Sequence, residues 1–243
     1  MPKFGLIGKQ IDYSFSKTYF NNKFREEQID ASYENFDLKH ITDFPKILKE
    51  NPSITGLNVT VPYKELIIPY LDRLDKKAKK IGAVNTIKIT KKGNLKGYNT
   101  DYHGFIESIR PLLLPHHKSA LILGTGGASK AIAFALDKLH ISYKFVSRTP
   151  SKRSITYNEL TKQDLLDNTI IINCTPKGTA PDIDECPDIP YQYLTNSHLL
   201  YDLIYNPDET KFLQFGKTRG AQTKNGLNML ILQAEKAWSI WEH

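Results

Sequence analysis

The stretch Leu121-Ile-Leu-Gly-Thr-Gly-Gly-Ala-Ser129 decides the fold of the second half of the chain, because an apolar strand pattern passes through a glycine turn into a helix pattern. Gly124 and Gly126 permit the tight turn and the close backbone approach that a pyrophosphate needs, and the helix start offers N–H groups to the phosphates. Ser129 occupies the third fingerprint position, where Gly or Ala is usual. A plain strand-to-helix turn is the alternative, but the strand–helix–strand context favours a dinucleotide site.

The end of the next strand indicates which dinucleotide binds. It runs into Ser147-Arg148-Thr149, with Lys152 just beyond, and it has no carboxylate that would accept hydrogen bonds from ribose hydroxyls. Arginine can hold a phosphate through two charge-assisted hydrogen bonds. The pattern therefore favours NADP over NAD, against the alternative of a basic, solvated turn.

Outward from the glycine turn, strand and helix patterns alternate along the whole chain. Apolar runs and period-two patterns predict strands at 3–7, 32–38, 54–59, 86–90, 119–123, 142–146, 169–173 and 199–202. Helical patterns cover 41–50, 129–139, 161–167 and 226–241, and a further helical stretch contains Phe20 and Phe24. The last helix has an apolar stripe, formed by Leu227, Leu230, Ile231, Ala234, Trp238 and Trp241. Strands separated by helices predict parallel pairing, hence two α/β lobes with a cleft between them.

Bulk properties exclude several classes of protein. No apolar run approaches the ~18 residues of a membrane span, and the start of the chain is not a signal peptide. Two cysteines, Cys174 and Cys186, are too few for a disulfide framework or a zinc site, so we expect no metal and a cytoplasmic location. The net charge of +7 suits anionic partners. The basic runs lack the aromatic residues of a nucleic-acid platform, and we interpret them as solvated faces.

Three polar clusters in the first hundred residues do not look like ordinary turns. Ser14-Phe-Ser16 precedes a helix and is equally compatible with an N-cap and with a carboxylate pocket. In Asn58-Val-Thr-Val-Pro-Tyr-Lys-Glu65, Pro62 predicts a helix start, so Lys64 lies where the helix dipole disfavours a cation. Asn85 and Asp101 lie beside predicted strand ends, where α/β sheets bind ligands. A surface lysine that tolerates the cost is the alternative for Lys64.

Together these motifs resemble the shikimate dehydrogenase family over nearly the whole chain. The matching stretches, in order, are Ser-x-Ser, NVTVPYKE, GAVNT, NTD, GTGGAS, SRT, INCTP and NGLNMLILQ. The resemblance implies an α/β fold with an N-terminal substrate lobe and a Rossmann-like NADP-binding lobe. The substrate lobe would comprise 1–100 and 226–243, with a mainly parallel sheet, and the cofactor lobe 101–225. It also implies NADPH-dependent interconversion of 3-dehydroshikimate and shikimate, in a monomer or homodimer that binds no nucleic acid and no membrane.

The resemblance further implies a role for each site residue. Lys64 and Asp101 would be catalytic, with Lys64 as the general acid for reduction and Asp101 orienting it. The substrate-binding set would be Ser14, Ser16, Thr60, Lys64, Asn85, Asp101, Tyr205 and Gln233. The cofactor-binding set would be Gly124, Gly126, Gly127, Ala128, Ser147, Arg148, Thr149, Lys152, Gly226 and Met229.

Four alternatives remain open from the sequence. A relative that prefers quinate or an amino analogue, or that accepts NAD, would carry similar motifs. A binding protein without turnover would not need Lys64 together with Asp101. A basic nucleic-acid module would bind in a salt-sensitive way without substrate preference. An S-adenosylmethionine-dependent methyltransferase could carry the glycine turn, but its second strand should end in an acidic residue.

Overall fold

The fold comes from a computed structural model that describes residues 1–11, 14–151 and 154–242. Its contacts divide the chain into two compact units. Unit 1 comprises Met1–Thr100 with Ala234–His243, and unit 2 comprises Asp101–Gln233. The boundary therefore falls inside the last helix, whereas the sequence analysis assigned that helix whole to the first lobe. Within the described residues no helix has both the length and the apolar character to cross a membrane.

The described residues of unit 1 form four α-helices and six strands before the last helix. The strands are β1 (Lys3–Gly8), β2 (Ser32–Asp37), β3 (Ile54–Val59), β4 (Arg73–Leu74), β5 (Thr86–Ile89) and β6 (Leu95–Tyr98). The helices are α1 (Phe15–Glu26), α2 (Phe44–Glu50), α3 (Tyr63–Leu66) and α4 (Lys76–Ile81), with short 3-10 helices at Ile41–Asp43 and Ile68–Tyr70.

Unit 2 alternates strands and helices more regularly. Its strands are β7 (Ser119–Leu123), β8 (Ser142–Ser147), β9 (Ser154–Thr156), β10 (Ile170–Asn173), β11 (Leu199–Asp202) and β12 (Gln222–Lys224). Its helices are α5 (Asp101–Ile109), α6 (Gly127–Lys138), α7 (Lys162–Asp167), α8 (Lys211–Thr218) and the first half of α9 (Leu227–Glu242), with 3-10 helices at Arg110–Leu112, Tyr157–Glu159 and Tyr191–Tyr193.

The sheet of unit 1 is mainly parallel but mixed, in the order β2-β1-β3-β5-β6-β4. β1 pairs in parallel with β2 and β3, and β4 with β6. β5 is antiparallel to both β3 and β6. The expectation of parallel pairing is wrong at this strand, because β5 and β6 form a hairpin around a Lys91-Lys-Gly-Asn94 turn whose Gly93 has φ +81°.

Both faces of the unit 1 sheet are buried. On one face the buried apolar side chains include Ile7, Leu57, Val59 and Ile87. On the other face Phe4, Phe20 and Tyr33 pack with Trp238 and Trp241 from the second half of α9. The Trp241 Nε1–H donates to the Ile87 carbonyl at 3.0 Å, which fixes the end of α9 on this sheet.

The sheet of unit 2 is parallel throughout, in the order β12-β11-β10-β7-β8-β9. Successive residues of β7 face opposite cores: Ala120 and Ile122 lie in one, and Leu121 and Leu123 in the other. Burial on both faces explains why this strand is continuously apolar. In the sheet β7 lies between β8 and β10, so the strand order runs outward from β7 in both directions. The C-terminal ends of β7 and β10 therefore flank the switch point, where open α/β sheets bind ligands.

Candidate functional site

Two serines stand at the start of α1 in unit 1. Ser14 is the N-cap residue, and its Oγ accepts a hydrogen bond from the Lys17 N–H at 3.4 Å. Ser16 is buried in the first turn of the helix. A helix start with two hydroxyls suits a carboxylate. The structure supports the N-cap interpretation of Ser14, and the carboxylate role of both serines stays a prediction.

Tyr33 of β2 and Asn58 of β3 belong to a buried hydrogen-bond network in the sheet of unit 1. The Tyr33 hydroxyl donates to Asn58 Oδ1 at 2.7 Å, and Asn58 Nδ2 donates to the Asn85 carbonyl and to Thr86 Oγ1, both at 3.3 Å. Burial raises the pKa of Tyr33 well above its ordinary value, so the phenol keeps the proton that it donates. Sequence reasoning missed Tyr33, because a partner 25 residues from Asn58 leaves no local signal.

The Asn85 amide is held in one orientation. Its Oδ1 accepts from the Thr100 N–H at 2.7 Å and from Thr86 Oγ1 at 3.1 Å, and its Nδ2 donates to Thr100 Oγ1 at 2.9 Å. All three residues are buried. A buried amide with fixed polarity is a suitable group for recognising a hydroxyl. Asn85, a predicted substrate residue, therefore belongs to one hydrogen-bond network with Asn58 and Tyr33.

Thr60 and Lys64 lie on the segment that follows β3, and both are half-buried. The Thr60 N–H donates to the Ile7 carbonyl at 2.8 Å, and the Lys64 carbonyl accepts from the Val84 N–H at 2.7 Å. These bonds fix the main chain of α3 against β1 and the Asn85 segment. The predicted helix start is confirmed, with Pro62 as N-cap, but α3 spans four residues only, so its dipole is weaker than expected.

The glycine turn of unit 2 has the geometry that a dinucleotide requires. Gly124 has φ +102°, in the region that glycine favours, and Gly126 is the N-cap of α6. A Cβ added at Gly126 would meet no atom within 4 Å, so there is open space beside Gly126 at the helix start. Ser129 is buried and its hydroxyl donates to the Gly126 carbonyl at 2.7 Å, which gives the irregular third position a structural purpose. These residues fit a pyrophosphate.

The turn after β8 presents an exposed cation. Arg148 and Thr149 are exposed, whereas Ser147 is buried and its hydroxyl donates to the Thr149 carbonyl. Ser147 Oγ also lies 3.0 Å from Ser154 Oγ, so this side chain shapes the turn. Within the described part of this turn the side-chain charge is positive, which fits a 2′-phosphate. The predicted partner Lys152 lies outside the described residues.

Two further predicted residues lie at the start of α5 and after β11. Asp101 is the first residue of α5 and is only 4% exposed, a position where the helix dipole favours a carboxylate. Tyr205 is half-buried in the loop after β11. Lys64 belongs to unit 1 and Asp101 to unit 2, and their pairing stays a prediction.

The first half of α9 is buried on a different face from the one that the sequence pattern predicted. Leu227, Leu230 and Ile231 are half-buried, whereas Met229 and Gln233 are buried. A Cβ on Gly104 of α5 would clash with the Met229 carbonyl and lie 3.0 Å from the Gln233 N, so α5 packs against this face. The predicted stripe is therefore wrong in its first two turns and correct from Ala234 onward.

Gly226 precedes α9 and packs tightly on the loop after β11. Its N–H donates to the Ile204 carbonyl at 2.9 Å, and a Cβ there would clash with the Leu203 carbonyl. Only glycine fits this contact. Packing within unit 2 therefore accounts for the burial of Gly226, Met229 and Gln233. Their roles in binding ligands stay predictions.

The parallel sheet of unit 2, with a glycine turn at its switch point, defines an α/β enzyme class that binds dinucleotides. A family model described as shikimate dehydrogenase substrate binding domain matches residues 6–87. A shikimate dehydrogenase (NADP(+)) of Methanosphaera stadtmanae is 40% identical over 98% of this chain and 90% of that protein. The chain belongs to the shikimate dehydrogenase family. The family, fold and oxidoreductase class predicted from the sequence are confirmed.

Solved structures agree with this assignment. A shikimate 5-dehydrogenase of Thermus thermophilus, in complex with NADP(H) and shikimate, has a TM-score of 0.88 and 30% identity, over 99% of this chain and 93% of that one. A quinate dehydrogenase of Corynebacterium glutamicum, in complex with NAD, has the same TM-score of 0.88 at 25% identity, over 99% of this chain and 93% of that one. Fold similarity alone therefore does not separate the two substrates.

Proposed function

We propose that this chain catalyses the reversible NADPH-dependent reduction of 3-dehydroshikimate to shikimate, a step of aromatic amino-acid (chorismate) biosynthesis. The observation that carries the proposal is the match over 98% of the chain, at 40% identity, to a relative named shikimate dehydrogenase (NADP(+)). Lys64, Asn85 and Asp101 are all present in this chain. A binding protein without turnover would need no such set of an acid, an amide and a carboxylate.

Unit 2 would bind NADP at the end of its parallel sheet. Gly124, Gly126, Gly127 and Ala128 would hold the pyrophosphate at the start of α6. Arg148, with Lys152, would bind the 2′-phosphate, and Ser147 and Thr149 would shape that turn. Gly226 and Met229 would border the nicotinamide. The open space before Gly126 and the exposure of Arg148 support this assignment.

Unit 1 would supply most of the substrate contacts. Ser14, Ser16 and Thr60 would hold the carboxylate, with Tyr205 nearby. Asn85, Asp101, Lys64 and Gln233 would bind the ring hydroxyls. The fixed Asn85 amide supports a role in hydroxyl recognition, because an amide that cannot rotate distinguishes a donor from an acceptor.

In the reductive direction Lys64 would act as the general acid. When bound, NADPH supplies a hydride to the ketone carbon. The ammonium of Lys64 would stabilise the negative charge that develops on the carbonyl oxygen and donate a proton to it. Asp101 would orient Lys64 and accept a hydrogen bond from the neighbouring hydroxyl.

A substrate panel tests the proposal. The absorbance of the reduced nicotinamide would be followed with shikimate and quinate, each with NADP and with NAD. We expect the highest kcat/KM for shikimate with NADP. A preference for quinate would make the chain a quinate dehydrogenase of the same fold, and no turnover with any pair would favour a binding role.

The domain roles and the cellular location complete the proposal. Residues 1–100 with 226–243 would form the substrate domain and 101–225 the cofactor domain. The enzyme would act in the cytoplasm as a monomer or homodimer. Cys174 and Cys186 are free thiols, which suits a reducing compartment.

A further inference from the structure

A buried carboxylate lies at the C-terminal end of β11. Asp202 has no solvent exposure. Its Oδ1 accepts hydrogen bonds from Asn173 Nδ2 and from the Ile204 N–H, both at 3.0 Å, and its Oδ2 accepts from Thr210 Oγ1 at 2.6 Å. All three donors are neutral. Burial raises the pKa of Asp202 to about 6, although these hydrogen bonds oppose the shift. A carboxylate kept in such a place, beside a ligand-binding edge, is a candidate for a functional role.

One arm of this network reaches the glycine turn through β10. Asn173 Oδ1 accepts from the Thr175 N–H at 3.0 Å and from Thr175 Oγ1 at 2.7 Å. A Cβ on Gly124 would lie 3.2 Å from the Thr175 methyl and 3.3 Å from the Cys174 carbonyl. The loop after β10 therefore packs directly on the turn that would hold the pyrophosphate.

A second arm fixes the loop after β11. The Ile204 N–H donates to Asp202, and the Ile204 carbonyl accepts from the Gly226 N–H at 2.9 Å. Thr210, which donates to the same carboxylate, also caps α8. Asp202 thus fixes the segment that carries Tyr205 and that packs against Gly226.

We propose that Asp202 is a positioning residue for the cofactor: its buried carboxylate holds the loops after β10 and β11 in the conformation that binds the dinucleotide. The proposal rests on the proposed NADP site in unit 2. A carboxylate suits the site because each of the three neighbouring groups donates to it. An amide at position 202 could keep the bonds from Asn173 and Ile204 only with its NH2 towards Thr210, whose hydroxyl would then have to accept and give up the bond that it donates. Protonation of the carboxylate would have a similar effect.

The test is the affinity of Asp202→Asn for NADPH, measured by fluorescence titration from pH 8 to pH 5. At pH 8 we expect Kd to rise about tenfold, the equivalent of roughly one lost hydrogen bond to a charged group. The ratio of variant to wild-type Kd should fall towards one as the pH drops through 6, because the wild-type carboxylate becomes protonated. The ratio cancels the titration of the 2′-phosphate itself.

Two comparisons separate positioning from a general effect on folding. Tyr201→Phe alters the preceding residue of β11, also buried, and removes only a hydrogen bond to Ser108. We expect its Kd for NADPH to match that of the wild type. Thr175→Val keeps the methyl contact and the N–H bond to Asn173. It removes the bond from the hydroxyl to Asn173 and the one that the hydroxyl accepts from the Lys177 N–H, and it should raise Kd roughly threefold, as expected for the loss of neutral hydrogen bonds. This variant also serves if Asp202→Asn does not fold.

A Kd ratio that stays at one, or that does not change with pH, would overturn the proposal and leave Asp202 a structural residue. Equal losses of affinity in Tyr201→Phe would do the same. Because the titration needs no substrate, it is independent of the proposed reaction. If the wild-type protein bound NADPH but did not oxidise shikimate with NADP, only the proposed function would be refuted, and the proposal for Asp202 would stand.

Discussion

At the residue scale, the proposed chemistry depends most on Lys64. If Lys64 donates the proton in reduction, Lys64→Ala should lower kcat by about 10²–10⁴, the usual contribution of a positioned acid, with a smaller change in KM for shikimate. The measurement is steady-state kinetics in both directions. Lys46→Ala is the control, because Lys46 lies on α2 with its side chain 72% exposed and should leave kcat unchanged. A rise in KM at constant kcat would make Lys64 a binding residue only.

Arg148 decides between the two nicotinamide cofactors. Its exposed guanidinium follows β8, so removing it should weaken contacts to a 2′-phosphate that NAD lacks. We expect Arg148→Ala to raise KM for NADP by roughly tenfold to a hundredfold, since a hydrogen-bonded charge pair contributes about 1.5–3 kcal/mol. KM for NAD should change little. Equal increases with both cofactors would contradict the assignment.

Sequence reasoning found the residues that stand at strand ends and missed the partners that hold them. Asn85, Asp101 and the glycine turn were recognisable because polar groups beside strand ends mark the ligand edge of a sheet. Tyr33 was not recognised because its partner Asn58 comes from another strand. Asp202 was not recognised because its side-chain partners Asn173 and Thr210 lie 29 and 8 residues away along the chain. Such pairings follow from the tertiary fold, which no local pattern specifies.

At the scale of elements, long regular patterns were predictable and short ones were not. The strands of unit 2 around the switch point and helices α6 and α9 were located within a few residues. Helices α5 and α8 and strands β6 and β12 were not predicted. β12 spans three residues, which is too short for a period to be recognised, and in β6 the apolar pattern is interrupted by Lys96 and Gly97. α5 begins directly at the NTD motif, so its first turn looks like a polar loop.

The crossing of α5 and α9 in unit 2 depends on the absence of a side chain at Gly104. Alanine would gain up to about 1 kcal/mol of helix propensity, but overpacking against the α9 backbone costs typically 1–3 kcal/mol. The clash involves the Met229 carbonyl, which cannot move aside. We therefore expect Gly104→Ala to lower the free energy of unfolding by about 1–2 kcal/mol, measured by urea titration. Glu107→Ala, on the exposed face of α5, should stay within about 0.5 kcal/mol. If Gly104→Ala instead raised the free energy of unfolding, the prediction would be wrong, because α5 and α9 could then move apart without loss of stability.

At the scale of the whole molecule, stability towards acid depends on a buried histidine at the opposite end of the unit 2 sheet. His117 Nδ1 accepts from the Leu114 N–H at 3.0 Å, and Nε2 lies 3.3 Å from the Ser197 carbonyl, so the neutral ring satisfies both neighbours. Burial, with smaller effects from His116 and His198, lowers the pKa of His117 below 6.5. The unfolded chain therefore binds a proton here at a higher pH than the folded chain. The contribution of His117 is complete above pH 6.5 and is lost as the pH falls through the folded pKa.

His117→Gln removes this titration, because a glutamine can accept from Leu114 and donate to Ser197 without binding a proton. At pH 8 the variant should be less stable by about 1 kcal/mol, since its hydrogen bonds are less well placed. The difference in free energy of unfolding should shrink as the pH is lowered, because only the wild type loses stability at this site.

Asp202 acts in the opposite direction: its pKa of about 6 adds stability as the pH falls towards 3.8. Both proteins carry Asp202, so it cancels in the difference. A difference that stays constant from pH 8 to pH 5 would mean that His117 is not the acid-sensitive group.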